Sequence, residues 1–301
     1  MIARAMIRAL LASVLLAAVM PATHAQAPVS TLEHIRDTGH IRIGYSAEVP
    51  PFSYLDASGQ VVGYSIELCN RVAEKLQVQL GLPTLQIDYV QRTPSNRVAL
   101  LNAGEIDIEC VASTNTAERR KSVAFSFPHF LTAVQFIALK DGGPRRIADL
   151  VGHSVASTLG TTVIGQLNAA SREKGLNIAV VPTPDHQAAF DMMASGRVAA
   201  FAMDSIILST RVANAKDPDL YILSADAFGP PEPYGLMMRL GDHDFVDAVN
   251  GALAEIYSSG EITPIYDKWF TSPIPPKGIN LQLPMSDALA AAFAAPVAVT
   301  D

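Results

Sequence analysis

The sequence predicts an α/β fold of two similar lobes, each a mainly parallel sheet with helices on both faces, joined by a hinge that the chain crosses twice. Three observations carry that expectation. Strand-like and helix-like segments alternate along the chain, the pattern that builds parallel sheets through crossover helices. The alternation then recurs, and the helix-to-strand passage Leu101-Asn102-Ala103-Gly104-Glu105-Ile106 is echoed by Met193-Ala194-Ser195-Gly196-Arg197-Val198. About 275 residues remain once a leader is set aside, more than one hydrophobic core usually organises.

The leader is read from Arg4 and Arg8, which have no acid beside them, an apolar run from Ala9 to Met20 and a small-residue segment from Pro21 to Ala27. This is the pattern of a cleavable signal peptide over residues 1–25, with cleavage after Ala25. A retained signal anchor is the alternative, but the run is short and poorly flanked for a membrane span. No cysteine stands at the junction to take a lipid, so export without an anchor is expected.

Cleavage removes two of the 22 Lys+Arg and none of the 29 Asp+Glu, which leaves a net charge near −9. An acidic surface disfavours nucleic acid and anionic membrane as partners. The 2 cysteines, Cys69 and Cys110, would meet an oxidising compartment where they can pair, or they are two small buried hydrophobes. There is no CxxC and no histidine at ligand spacing, so neither a zinc site nor another metal or cofactor is expected.

Residues 41–45 and 52–54 read as short strands interrupted by Pro50 and Pro51, with a turn at 56–59 before 61–63. Ile66, Leu68, Cys69, Val72, Ala73 and Leu76 recur at helical spacing. A strand follows at 85–89, then a helix from Asn96 to Leu101 with Thr93 or Ser95 as N-cap, closed by Gly104. A strand at 106–112 and a helix from Thr114 to Lys121 complete this half. The second half repeats the plan with strands at 154–157, 178–181 and 198–202 and helices at 161–168, 187–194 and 206–213. Between the halves, Thr132 to Leu139 reads as one continuous apolar strand, long enough to pass from one lobe to the other. The Pro-rich stretch 229–233 leads back through a strand at 234–238. Helices at 242–259, 262–270 and 287–293 follow, with Trp269 as core. The expected division is lobe 1 over 32–134, lobe 2 over 135–227 and a return to lobe 1 over 228–301.

In open parallel sheets ligands gather at the carboxyl ends of strands, where helix N-termini present free N–H groups. The polar residues just after each expected strand are Ser46, Ser95, Arg97, Ser113, Thr114 and Arg119 in the first lobe, and Thr158, Gly160, Thr161, Thr162, His186 and Asp204 in the second. An acidic amino acid carries two carboxylates and one ammonium, and needs paired cationic donors and one anionic acceptor. The set holds that complement. Arg119 with Thr114 can fork an α-carboxylate, Asp204 can take the ammonium from the other side, and Arg97 with His186 remain for the second carboxylate. Each also has a plainer reading: Arg119 and Arg97 as solvated helix faces, His186 as a satisfied core residue, Asp204 as a helix N-cap.

At VPPFSYLD (49–56), VVGYSIEL (61–68), NRVALLNAGEIDIEC (96–110), STNTAERRKSVAFS (113–126), LGTT (159–162), SGRVAAFAMD (195–204) and KWFTSPIPPKGINL (268–281) the sequence resembles the periplasmic solute-binding proteins of polar amino-acid ABC transporters (family 3), within them the branch for glutamate and aspartate. The resemblance spans nearly all of the expected mature chain. It implies a type II periplasmic-binding-protein fold, a non-enzymatic monomer in the periplasm, L-glutamate or L-aspartate as ligand, and an inner-membrane ABC permease as partner. By the same resemblance Thr114 and Arg119 match α-carboxylate contacts, Thr161 a contact from the other lobe, Asp204 the amine contact, and Arg97 and His186 the distal-carboxylate contacts, with Ser113 and Thr158 in the matching motifs. It also favours a disulfide between Cys69 and Cys110.

Three positions depart from the family pattern. Ser46 stands where close relatives carry an arginine, which implies the loss of one distal-carboxylate donor, and Ala112 and Pro94 replace serines. Glutamine or asparagine is therefore an alternative ligand. A cyclohexadienyl or arogenate dehydratase on the same architecture is the enzymatic alternative, with Glu48 and Glu109 as the candidate general acids. A sensory module that presents ligand to a receptor is the third.

Overall fold

A computed structural model describes residues 30–299; the leader reading lies outside them. In chain order the first part contains α1 (Thr31–Thr38), β1 (His40–Tyr45), β2 (Glu48–Val49), β3 (Ser53–Leu55), β4 (Val61–Val62), α2 (Tyr64–Gln79), β5 (Gln86–Gln91), α3 (Arg97–Asn102), β6 (Ile108–Glu109), α4 (Ala117–Arg120), β7 (Val123–Phe125) and β8 (Phe130–Thr132). The middle contains β9 (Val134–Leu139), β10 (Ser154–Thr158), α5 (Val163–Glu173), β11 (Ala179–Thr183), α6 (His186–Ala194), β12 (Ala200–Asp204), α7 (Ser205–Asn214) and β13 (Tyr221–Leu223). The last part contains β14 (Glu232–Tyr234), β15 (Met237–Arg239), α8 (His243–Ser258), α9 (Ile262–Phe270) and α10 (Asp287–Ala294).

Two five-stranded sheets organise the chain, ordered β5-β1-β6-β15-β7 and β11-β10-β12-β9-β13. The plans match. In each, the first three strands run parallel and the fourth runs antiparallel to both neighbours. Those fourth strands, β15 and β9, enter each sheet just after the chain has crossed from the other lobe, so they run against the strands built by local crossover helices.

The repeated helix-to-strand passage is real in three dimensions. Gly104 at φ +66° and Gly196 at φ +73° take the left-handed conformation that glycine adopts without strain. In each passage the same carbonyl, Leu100 or Met192, accepts from two successive amides, those of Glu105 and Ile106 or of Arg197 and Val198.

The crossings correct two expectations. The apolar run 132–139 is not one strand: β8 pairs antiparallel with β14 in a two-stranded ribbon, and after Ala133 the chain changes partner and β9 joins β12 and β13. Likewise 234–238 divides at Gly235, where β14 leaves the ribbon and β15 joins β6 and β7. Both runs read as continuous because both halves are buried. The strand expected at 106–112 shrinks to Ile108–Glu109 and the helix at 114–121 to Ala117–Arg120; between them Val111, Ala112 and Thr114 line the cavity described below. Asn96 rather than Thr93 or Ser95 is the N-cap of α3, with no side-chain cap.

Aromatic rings join the ribbon to the first lobe. Phe130 of β8 stacks on Phe270 at 4.9 Å and meets Phe52 edge-on at 5.0 Å, and Phe52 meets Tyr234 of β14 at 5.4 Å. Each such pair contributes about 0.5–1.5 kcal/mol beyond its buried area. Trp269 is core, as expected, at 4% exposure, and its indole N–H donates to Glu67 Oε2 at 2.7 Å.

Cys69 in α2 and Cys110 beside β6 form a disulfide with a Cα–Cα distance of 6.4 Å across a sequence separation of 41. It clamps a helix to the strand end that carries the site. Replacing both cysteines by alanine is expected to lower the unfolding free energy by about 4 kcal/mol, the loop-closure value for a ring of this length. Chemical denaturation of the variant and of the reduced wild type checks this.

Candidate functional site

Between the carboxyl ends of the two sheets, side chains from both lobes line a small cavity of about 20 Å³. Its lining includes Arg92, Pro94, Arg97, Thr114 and Arg119 from the first lobe and Thr161, Thr162, His186, Met203 and Asp204 from the second. A larger open trough between α1, α2 and α8 carries Glu74, Asp244, Asp247 and Glu255 around Lys75. It lacks the converging donors that make a binding site, so the smaller cavity is the candidate.

The cavity wall follows from local structure. Arg97 is the first residue of α3 and 5% exposed; burial, followed by repulsion from Arg119, lowers its pKa to about 9, so it stays charged at neutral pH. Arg119 lies in the short helix α4, whose N-cap Thr116 accepts from the Arg119 amide, and its side chain folds back to donate to the Thr114 carbonyl at 2.9 Å. Arg97 and Arg119 each donate to one oxygen, the carbonyl of Gly160, at 3.1 Å. That turn can approach only because residue 160 is glycine. Its φ is +76° and a Cβ there would lie 2.5 Å from the Pro94 carbonyl oxygen of the opposite lobe.

Asp204 ends β12 and is 2% exposed. It precedes α7 as its N-cap residue without capping it; its carboxylate instead accepts the hydroxyl of Tyr234. Burial pushes the Asp204 pKa up to about 6, with the Tyr234 hydrogen bond and then Arg119 and Arg97 opposing the rise. Tyr234 belongs to the ribbon and also pairs with Thr114 through an isolated β-bridge. One crossing strand thus touches Asp204 of one lobe and Thr114 of the other.

His186 opens α6 and is 3% exposed. Burial and then Arg211, Arg92 and Arg97 lower its pKa to about 3, so it is neutral, and Thr158 Oγ1 lies 2.8 Å from its Nδ1. His186 therefore brings no charge. Thr161 anchors its turn by donating to the Thr158 carbonyl at 2.7 Å.

Of the residues singled out in the sequence, Arg97, Thr114, Arg119, Thr161, His186 and Asp204 share the cavity. Ser113 and Thr158 stand behind it, both 0% exposed: Ser113 donates to Glu109 Oε2 at 2.8 Å, and Thr158 meets His186. Thr158 is thus absorbed in orienting His186, and Ser113 in holding Glu109, the partner of Arg92. Ser46 also lies outside the lining; its amide donates to Ser53 Oγ at 2.9 Å. Neither Glu48 nor Glu109 lines the cavity. Glu48 pairs with Arg211 across the lobes, at 3.2 Å, and Glu109 with Arg92.

Arg92 was missed. The strand expected to stop at Tyr89 runs on to Gln91, which leaves Arg92 as the first residue beyond it, where site residues were sought. Among the described residues no group of His, Cys, Asp or Glu is arranged to hold a metal ion, and no helix is long and apolar enough to cross a membrane.

Residues 41–272 match the model of the bacterial extracellular solute-binding proteins, family 3. The chain is 40% identical over 270 residues to the L-glutamate/L-aspartate-binding protein of Pseudomonas aeruginosa, covering 88% of each. It is 36% identical over 275 residues to the glutamate/aspartate import solute-binding protein of Escherichia coli, covering 90% of each. A solved solute receptor for L-cysteine of Neisseria gonorrhoeae superposes with a TM-score of 0.70 at 27% identity, over 80% of this chain and 93% of that one.

The raised pKa of Asp204 is also a statement about stability. Its folded pKa of about 6 exceeds the ordinary 3.8, so between those values the native state holds more protons, and stability falls as pH rises through that window. Above pH 7 the buried charge costs about 3 kcal/mol by this shift. Asp204→Asn is expected to raise the melting temperature of the ligand-free protein at pH 8 and to have much less effect at pH 4. A scanning calorimeter reads both.

Proposed function

We propose, for a chain that belongs to the bacterial extracellular solute-binding proteins, family 3, that it captures L-glutamate or L-aspartate between its lobes in the periplasm and delivers it to an inner-membrane ABC permease. The observation that carries this reading is the meeting of Arg119 and Thr114 from one lobe with Asp204 from the other around one small cavity. Opposite charges fixed on separate bodies suit a zwitterion, because neither half alone can satisfy both of its ends. The relatives' names, which specify glutamate and aspartate, support the choice of ligand.

In this reading Arg119 and Thr114 take the α-carboxylate, Thr161 reaches it from the second lobe, and Asp204 takes the ammonium. Arg97 and His186 face the distal carboxylate. The two guanidiniums that now share the neutral carbonyl of Gly160 exchange part of that bond for full negative charge, which strengthens each hydrogen bond. Ligand therefore favours the shut arrangement, since only there are all its charges met. Contacts away from the cavity assist: Arg211 bridges to the Glu48 carbonyl at 3.0 Å, Gln166 donates to Glu232 at 2.7 Å, and Lys277 to the Asn214 carbonyl at 2.7 Å.

We place lobe 1 at 32–134 and 228–301 and lobe 2 at 135–227, with the β8–β14 ribbon as the hinge, and the protein acts as an exported monomer after cleavage at 25. Transfer to the permease follows from the shut form presenting both lobes at once.

Arg119→Ala is expected to cost about 2–5 kcal/mol of glutamate binding, the penalty for truncating one side of a buried charge pair, or about 30-fold to several thousand-fold in Kd. Calorimetric titration that found undiminished affinity would remove the central contact. Affinity for glutamate is also expected to fall about tenfold between pH 7.5 and pH 5, as Asp204 takes up a proton below its pKa of about 6 and can no longer hold an ammonium. Asp204→Asn should flatten that profile at low affinity.

A further inference from the structure

We propose that Arg92 is a specificity-determining contact for the ligand's distal acid group, and that with Arg97 it makes the cavity select an acidic over an amide side chain. This deepens the reading above and rests on it. β1 and β5 run parallel with Tyr45 beside Gln91, and the Arg92 amide donates to the Tyr45 carbonyl at 2.9 Å. Ser46 and Arg92 therefore leave the sheet side by side at its ligand-facing edge. Ser46 brings no charge to that corner; Arg92 does, and it lines the cavity at 4% exposure.

Arg92 is already paired with Glu109, yet the pairing leaves it capacity. An Arg92 terminal nitrogen meets Glu109 Oε1, while Oε2 accepts from Ser113. Arg92 Nε, also buried, has no hydrogen-bond partner among the described residues. A guanidinium carries five N–H donors, and a buried donor without an acceptor is costly. Arg92 also lies close enough to Arg97 and His186 to act on both electrostatically. These are the groups assigned to the distal end.

Charge counting agrees with the geometry. Arg92, Arg97 and Arg119 stand against Asp204 in the wall and Glu109 behind it, so the cavity keeps one positive charge in excess. An acidic amino acid, with two carboxylates and one ammonium, cancels that excess; glutamine or asparagine does not. Buried charges are tolerated only when matched.

The test separates a direct contact from a mere neutraliser of Glu109. Arg92→Gln combined with Glu109→Gln removes both charges, leaves no orphaned acid and preserves the net charge of the cavity. With folding verified by circular dichroism, titration of the double variant is expected to show about 30-fold or greater loss for L-glutamate, with L-glutamine affinity changed less than about threefold. Near-wild-type glutamate affinity in that variant would overturn the proposal. If the double variant does not fold, Arg92→Lys decides, because it keeps the charge and the Glu109 pair but loses the planar fork. A loss of about tenfold for glutamate with none for glutamine is then expected, and unchanged glutamate binding overturns the idea. Failure of the underlying reading looks different: wild-type protein without glutamate affinity, or indifference to Arg119→Ala, condemns the site as a whole and not this residue.

Discussion

The constraint on which the rest depends is the burial of Asp204 against Tyr234 in sight of two arginines from the opposite lobe. A carboxylate this deep is unfavourable unless matched, and nothing on its own sheet matches it. Its hydrogen bond comes from a crossing strand and its charge partners come from across the gap. The position of Asp204 therefore makes sense only when both lobes and the ribbon are considered together. Within an acidic chain the wall concentrates positive charge locally, and Glu109 and Asp204 prevent it from becoming excessive.

The architecture serves that constraint by repetition. Two sheets of one plan face each other with the carboxyl ends of their parallel strands toward the gap, so helix starts and strand ends from both converge there. The single antiparallel strand in each sheet is the trace of the crossing. Because β8 and β14 form a separate two-stranded ribbon, the lobes are linked by few backbone bonds and many side-chain contacts. Such a link suits rigid bodies that move against one another. The aromatic stack of Phe130 on Phe270 ties one end of the ribbon to the first lobe.

Most of this was legible in the residues. Alternating periodicity gave the class, the echo around Gly104 and Gly196 gave the repetition, and the rule that ligands meet strand ends collected Arg97, Thr114, Arg119, Thr161, His186 and Asp204. What the residues could not reveal was partnership. Thr132 to Leu139 and Tyr234 to Met238 are uniformly apolar, and no periodicity marks the point where a buried strand trades one neighbour for another. Arg92 escaped because the strand runs two residues further than its apolar pattern shows, so that Arg92 reads as a loop residue and not as the first one past the strand end. Ser113 and Thr158 were gathered with the lining because a hydroxyl after a strand looks the same whether it faces a cavity or braces a neighbour. The neutrality of His186 depends on three-dimensional crowding by cations, which spacing does not report.

The carbonyl of Gly160, held by Arg97 and Arg119 together, has a consequence for the economy of transport. In the proposed role, two like charges resting on one uncharged oxygen make a poor substitute for cargo, and a ligand carboxylate would add the stabilisation that this oxygen does not supply. That difference acts as a proofreading threshold: an unloaded carrier is held shut less firmly than a loaded one, and the pump it serves is spared idle turnover of nucleotide.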